Sequence, residues 1–329
     1  MLSRVAESIY WMARQVERAE NMARFLEVTH QLMLDQPEGS AEAFFPLVRV
    51  TGDEDFFWEH YPVANQSNVL SFVAFDRRYH SSIITSLAWA RQNARGVREV
   101  LSSEIYEAIS DLYHYVAGFA DQPGRTPDDF LIETRRLVIQ FSGVVDATMP
   151  RDLAWHFMTV GRGLERADKT SRILDVKYFQ LLPDEHSIGT AVDDLQWATV
   201  LRACSAIEAY RREHQHIDVS KVVDFLMFHR HFPRSILFAI TRACESLRSI
   251  DRLSGRPSDG DANQQISDLC ERLESLTPGD VIAFGMHEFV DDLQSTLNDV
   301  GSAVGRENFH RSDHAIQPSD ASIESGSEN

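Results

Sequence analysis

A duplicated stretch constrains this chain more than any other feature. Ser3 to Val28 reads SRVAESIYWMARQVERAENMARFLEV, and Arg151 to Val176 reads RDLAWHFMTVGRGLERADKTSRILDV. The two align without a gap at a constant offset of 148 residues, as in Arg14 and Arg162. Glu17 falls on Glu165, Arg18 on Arg166, Ala19 on Ala167, Glu20 on Asp168, Arg24 on Arg172 and Glu27 on Asp175. An internal repeat sets the architecture before any local reading does.

Both copies read as helices. At roughly 100° per residue, Val5, Ile9, Met12, Val16, Ala19, Ala23 and Leu26 share one arc. Leu153, Phe157, Val160, Leu164, Ala167, Ser171 and Leu174 share the same arc in the second copy. That is the stripe of a core-facing helix. Gly161 and Gly163 weaken the second copy, each by about 1 kcal/mol against Ala. Arg14, Glu17, Arg18 and Asn21 gather on the opposite face, mirrored by Arg162, Glu165, Arg166 and Lys169. A solvated face with short-range pairs (Arg14–Glu17, Glu20–Arg24, Arg162–Glu165, Asp168–Arg172) would account for the charges. Yet Tyr10, Phe25, Trp155, Met158 and Ile173 lie on that side too, and solvated faces seldom carry so many large apolar groups. The pattern therefore predicts helices covered on both sides, with a half-buried Arg/Glu cluster between the halves. A structural network, a ligand or catalytic site and a partner interface all remain open for it.

A second echo supports a duplicated half. FDRRYHSSI (Phe75–Ile83) matches FHRHFPRSI (Phe228–Ile236), with Ser82 over Ser235, each about 70 residues after its signature helix. Residues 1–150 and 151–305 read as two helical repeat halves, and 306–329 as a tail. The tail is rich in Ser, Asp, Glu, His and Asn, and is expected to be disordered because it has too little apolar surface to bury. Between the landmarks the chain reads as helices broken at Asp35–Ser40, Asp121–Asp128, Met149-Pro150, near Pro183 and at Ser254–Asp261. Phe44–Asn68 is aromatic-rich and reads as short helices over the bundle. Val69–Phe75 is read as helix. Ser187–His214 is read as one long helix, as is Val281–Val304 behind an N-cap turn at Thr277–Asp280. Strand signals are essentially missing. The fold class is an all-α bundle.

At 329 residues, two lobes or one elongated bundle are expected. A formal net charge of −18 argues against binding nucleic acid over a broad surface. No window approaches the roughly 20 apolar residues of a membrane helix, and Glu7 and Arg14 interrupt any signal-like run at the start. Cys204, Cys244 and Cys270 show no metal-ligand spacing and read as reduced thiols, which points to the cytoplasm.

No phosphate loop, dinucleotide fingerprint, nucleophile elbow or HExxH motif is present. His214 and His216 beside Glu213, and His229 with His231, have the wrong helical spacing for a ligand pair, and no metal or other cofactor is expected. Four carboxylates (Glu17, Glu20, Glu165, Asp168) could converge if the helices cross, as in di-metal bundles. Those bundles place His three residues after Glu, and here that position is Glu or Asp. Arg14, Arg18, Arg162 and Arg166, with Arg77, Arg78, Arg230 and Arg234, could instead hold a phosphate or carboxylate bidentately. Ser82 and Ser235 stand at helix starts, where an anion is favoured and where capping is the simpler use.

Four segments in order carry a resemblance: AESIYWMARQVERAEN (Ala6–Asn21), ARQNARGVREVLSSEIYEAI (Ala90–Ile109), VGRGLERADKTSRILDVKY (Val160–Tyr178) and FHRHFPRSI (Phe228–Ile236). Together they resemble the bacterial alpha-E domain family over nearly the whole chain except the tail. The resemblance implies an all-helical fold of unestablished biochemical role. It also implies partners, because the family's genes sit beside, or are fused to, circularly permuted ATP-grasp ligases and often transglutaminase-like peptidases. The expectation is an accessory protein of a peptide or amide ligation system, docking ligase or substrate on the Arg/Glu face. The alternative is an enzyme acting on an amide or phosphate intermediate there, with Glu17 and Glu165 as catalytic candidates. Matching motif positions are Glu7, Arg14, Glu17, Arg18, Glu20 and Asn21, then Arg162, Glu165, Arg166, Asp168, Ser171, Arg172 and Asp175. The binding candidates are thus Arg14, Arg18, Asn21, Arg162, Arg166, Asp168, Arg172, Ser82, Arg234 and Ser235. Where the family tends to read Asn-Pro before the first landmark Ser-Ile, this chain has Tyr79-His80-Ser81.

Overall fold

A computed structural model describes residues 1–34, 44–119, 126–180 and 191–309, with the side chains of 31–34, 176–180 and 191–193 outside it. The breaks read at Asp35–Ser40 and near Pro183, and most of the loop at Asp121–Asp128, lie outside the described residues. So does the tail beyond Phe309. Among the described residues all regular structure is helical.

The first signature helix is α1 (Ser3–Leu34). Short helices α2 (Phe45–Thr51), α3 (Glu54–His60) and α4 (Gln66–Leu70) follow, and α4 runs into a π-helical turn at Ser71–Phe75. Next come α5 (Ile83–Gly96), α6 (Ser103–Phe119) and α7 (Pro127–Thr148). The second signature helix is α8 (Leu153–Gln180). It is followed by α9 (Ala191–Ala203), α10 (Ile207–Glu213), α11 (Val219–Phe228), α12 (Ile236–Ser254), α13 (Asp261–Ser275), α14 (Pro278–Phe284) and α15 (Met286–Asn308).

α1 and α8 pack on each other at the centre. α5 and α7 pack on α1, with α6 against both; α12 and α15 pack on α8, with α13 against both. The apolar stripes are buried as the periodicity predicts: Ile9, Met12, Ala19, Val160, Ala167 and Leu174 are fully enclosed within one continuous core. The other face is covered as well, since Tyr10, Phe25, Met158 and Ile173 are buried. One core therefore replaces the alternative of two separate lobes.

Capping starts several helices. Ser82 and Ser235 cap α5 and α12, accepting from the amides of Thr85 and Phe238 at 3.2 Å. Capping boxes open α7 at Thr126/Asp129 and α14 at Thr277/Asp280, each satisfying two otherwise orphaned donors. Over α1 and α8 the aromatic segment forms its own packed group. Phe72 stacks on Tyr79 at 4.2 Å between ring centres, and the Tyr79 hydroxyl donates to Asp53 at 2.9 Å.

Three boundaries differ from the sequence reading. The long helix read at Ser187–His214 is two, α9 and α10. They are broken where Ser205 takes a left-handed φ of 51°, and its hydroxyl accepts from the Arg24 guanidinium on α1. The helix read at Val281–Val304 is also two, because Gly285 at φ 107° turns the chain in a way other residues resist. Third, the tail begins later than 306. α15 runs through Asn308, and the Phe309 ring packs 5.4 Å from Tyr10 and 6.0 Å from Phe157.

The two glycines that weaken α8 have a tertiary reason. A Cβ on Gly161 would meet the Tyr10 carbonyl oxygen at 2.4 Å, and one on Gly163 the Ala239 carbonyl oxygen at 2.8 Å. They let α1 and α12 approach α8 at backbone distance, which a helix-propensity scale cannot register. Gly143, on the exposed side of α7, has nothing within 4 Å. In urea melts, Gly161→Ala should destabilise the protein by about 1–3 kcal/mol through overpacking. Gly143→Ala should stabilise it by about 0.5–1 kcal/mol through propensity alone.

Candidate functional site

The polar faces of α1 and α8 meet where the helices pack, and they exchange partners. Glu165 on α8 is fully enclosed. It accepts from Arg14 Nε at 2.9 Å and from Arg18 Nε and Nη2 at 2.6 and 3.1 Å, both on α1. Lys169 Nζ stands 3.6 Å away. Reciprocally, Glu17 on α1 accepts from Arg166 Nε and Nη2 of α8 at 2.8 and 2.7 Å. Asn21 Nδ2 donates to Glu17 at 3.1 Å, and Arg234 Nη1 lies at 3.5 Å. Two of these contacts, Arg18–Glu165 and Arg166–Glu17, are bidentate forks, the strongest geometry a guanidinium makes with a carboxylate. The expected Arg14–Glu17 and Arg162–Glu165 pairs within one helix are not formed, because each glutamate is claimed across the interface. The i,i+4 pairs Glu20–Arg24 and Asp168–Arg172 do form, at 2.8 and 3.1 Å.

The loops before α5 and α12 close over this pairing. Arg18 Nη1 donates to Ser81 Oγ at 3.4 Å, Arg166 Nη1 to the Pro233 carbonyl at 3.2 Å, and Thr170 Oγ1 to the Arg234 carbonyl at 3.1 Å. Arg234 also donates to Asn21 Oδ1 at 3.2 Å and pairs with Glu20. Asp168 accepts from Lys169 at 2.8 Å and from Arg172. Ser82 and Ser235 have their hydroxyls spent inside the fold: Ser82 Oγ donates to Thr85 Oγ1 at 2.9 Å and Ser235 Oγ to the His229 carbonyl at 2.5 Å. Both hydroxyls cap their helices.

Burial alone would push Glu17 upward, but Arg166 and Arg234 more than offset it and hold its carboxyl down at about 2. Glu165 is likewise opposed by burial, and Arg18, Lys169 and Arg14 hold it well below the usual carboxylate range. Both are ionised at neutral pH and already held by several donors, whereas a general acid or base is poised to exchange its proton near the working pH. A salt bridge this deep gives up much of its Coulomb gain to desolvation, so its clearest effect is on geometry. It fixes the register of α1 on α8.

Most of the candidates converge. Two networks form side by side: Arg14, Arg18, Asp168 and Arg172 around Glu165 and Lys169, and Asn21, Arg166 and Arg234 around Glu17. Arg162 is beside them, half-buried, and makes no hydrogen bond or ion pair with any described residue. Ser81 and Ser205 join these networks without a signal in the sequence, since each contributes only a hydroxyl brought near by the fold. The four carboxylates do not form a metal cage, because guanidinium groups stand between them. Among the described residues, the group with cation-binding proximity is Asp175, His287 and the exposed Asp291. His287 Nδ1 lies 2.9 Å from Asp175 and Nε2 3.5 Å from Asp291. Its pKa is raised, first by the hydrogen bond to Asp175, so the trio behaves as an ion-paired histidine between α8 and α15. His229 and His231 organise a turn, with His229 Nδ1 accepting from the amides of His231 and Phe232 at 3.1 and 2.9 Å.

An all-helical protein whose two central helices trade Glu-Arg steps, Glu17-Arg18 for Glu165-Arg166, is thus the class that fold and site define. The chain belongs to the Alpha-E family, described as a predicted alpha-helical domain with a conserved ER motif; the match covers residues 1–309. It is similar to uncharacterized proteins of Mycobacterium bovis and Mycobacterium tuberculosis, at 24% identity over 92% of this chain. The match covers only 36% of the length of those relatives. No solved structure matches. No described helix is long and apolar enough to cross a membrane.

Because Glu165 is shared by Arg14, Arg18 and Lys169, Glu165→Gln should cost about 3–5 kcal/mol in urea melts, leaving buried cations uncompensated. The pH dependence has a definite sign. Glu17 is held below its ordinary 4.5 at about 2, so its contribution is complete above the ordinary value and drains as pH falls towards the lower one. Thermal melts between pH 5 and pH 2 should show that loss in wild type and a flatter profile in Glu17→Gln.

Proposed function

We propose that this chain is a non-catalytic accessory protein of a peptide or amide ligase system of the ATP-grasp type. It docks the ligase, or the ligase's peptide substrate, on the exposed rim of the Arg/Glu crossing. The observation that carries this reading is the state of Glu17 and Glu165. Both are enclosed, ionised and saturated by guanidinium groups, which suits a rigid binding platform and leaves neither free to move a proton. The rim carries several arginines, some of them paired: Arg78 with Asp76, Arg230 with Glu274 and Arg172 with Asp168. Arg172 and Arg166 keep part of their surface open, and the exposed Arg77, Arg78 and Arg230 lie on the flanking loops.

The curated relatives add support of a different kind. The matched region is a minor part of each relative's length, so there a helical unit of this sort is joined to a larger stretch of chain. That is the arrangement expected of a unit that works against another domain. A circularly permuted ATP-grasp protein is the proposed partner, with a transglutaminase-like protein as a second component. The cytoplasm is the proposed compartment, consistent with three free cysteines.

The test is co-purification of the tagged chain with the ATP-grasp protein encoded beside it. Co-elution in a defined complex is expected, weakened by Arg77→Glu on the exposed rim, with a melting temperature near wild type. A chain that elutes alone at micromolar concentrations of both proteins would count against the reading.

A further inference from the structure

Arg162 differs from the other guanidinium groups of the crossing. Its counterpart in the duplicated stretch, Arg14, is committed to Glu165 and to the Tyr10 hydroxyl at 3.1 Å. The equivalent acceptor for Arg162 would be Glu17. That carboxylate is taken by Arg166 and by Arg234, which enters from the loop before α12. The corresponding position in the first landmark loop is Ser81, which carries no charge, so Arg14 meets no such competitor. Asp146 on α7, whose charge also reaches Arg162, is held by Arg151 at 2.6 Å. Arg162 is left half-buried with its whole donor fork unassigned among the described residues.

Its surroundings make that placement unfavourable. Burial first, and the neighbouring Arg166 second, lower its pKa; Arg234 is lowered as well, with burial first and Arg166 among the causes. Arg24, Arg162, Arg166 and Arg234 here face two carboxylates, Glu17 and Glu20, so positive charge outnumbers negative at this spot within a chain of net charge −18. A bound anion would relieve it. The donors available fix the anion's shape. Arg166 has spent all three nitrogens on Glu17 and Pro233, and Arg234 both terminal nitrogens on Glu17, Glu20 and Asn21. One planar fork remains, beside two carboxylates that would oppose a dianion. That matches a monoanion with two coplanar oxygens better than a phosphate.

The geometry points to Arg162 as the receptor for one carboxylate of a peptide, gripped bidentately at the edge of the α1–α8 crossing. The inference deepens the docking reading and rests on it for the peptide's origin, since the carboxylate would belong to the docked substrate or ligase.

The experiment is an NMR titration of the full chain labelled with nitrogen-15 arginine. The Arg162 Nε–H signal is identified by its loss in both R162Q and R162K. N-acetylglycine should move that signal saturably, and the neutral N-acetylglycinamide should leave it in place. By calorimetry R162Q should bind N-acetylglycine at least about tenfold more weakly, the loss expected for a charge-assisted fork. R162K, which keeps the charge without the fork, should also bind more weakly than wild type. The far-UV CD and melting temperature of R162Q should match wild type, because the residue holds no ion pair; if R162Q unfolds, the acid-against-amide comparison on wild type decides alone. No movement with N-acetylglycine, equal movement with the amide, or saturation by inorganic phosphate at lower concentration would each overturn the assignment. Ligase capture separates the two claims. Capture by a chain blind to N-acetylglycine sinks the receptor and keeps the docking, and a response without capture does the reverse.

Discussion

The exchange of carboxylates between α1 and α8 is the constraint on which the rest of the arrangement depends. Each helix supplies a glutamate that the other helix's arginines enclose. A buried carboxylate without its guanidinium partners is costly, so the two helices have one relative placement in which all these groups are satisfied. The glycines of α8 permit that placement and the ion pairs select it. The apolar stripes on the far sides then face outward from the crossing, and α5, α7, α12 and α15 close over them.

This division of labour explains why α1 and α8 bury charge on one face and apolar groups on the other. A conventional bundle buries its stripes inward and leaves charge to solvent. Here both faces of the two long helices are largely covered, and the charged seam between them encloses its glutamates while its arginines keep an edge open. Such a core gains little net stability from its ion pairs, but it distinguishes one crossing from every sliding alternative. It also leaves a residue of uncompensated positive charge near Arg162 and Arg234, where the second half supplies an arginine and the first a serine. The difference between the two seams, more than their likeness, gives the site its chemical character.

Much was legible from one-dimensional pattern. The period of apolar residues placed the signature helices, and apolar groups on the charged side required a cover there, which Tyr10, Phe25, Met158 and Ile173 receive. The Thr-Pro-Gly-Asp and Ser-Ile signals marked caps that are formed. The Arg/Glu seam was legible as a list of residues but not as a set of bonds. Local spacing offered Arg14–Glu17 and Arg162–Glu165 as one reading, and the fold forms neither, because Arg166 claims Glu17 and Arg14 and Arg18 claim Glu165 across the interface. The breaks at Ser205 and Gly285 were hidden for a related reason. A serine in left-handed conformation held by Arg24, and a glycine read as one more helical residue, declare themselves only through φ.

Residue order alone determined that the chain is helical and where the caps and apolar stripes fall. These are properties of spacing along a helix, and spacing is written in the sequence. Tertiary structure decided which arginine meets which glutamate, why Gly161 and Gly163 are tolerated, and that Arg162 at the crossing has no hydrogen-bond or ion-pair partner among the described residues. Those outcomes depend on distances between residues well over a hundred positions apart, where competition among several donors for one acceptor is settled by packing and by nothing local.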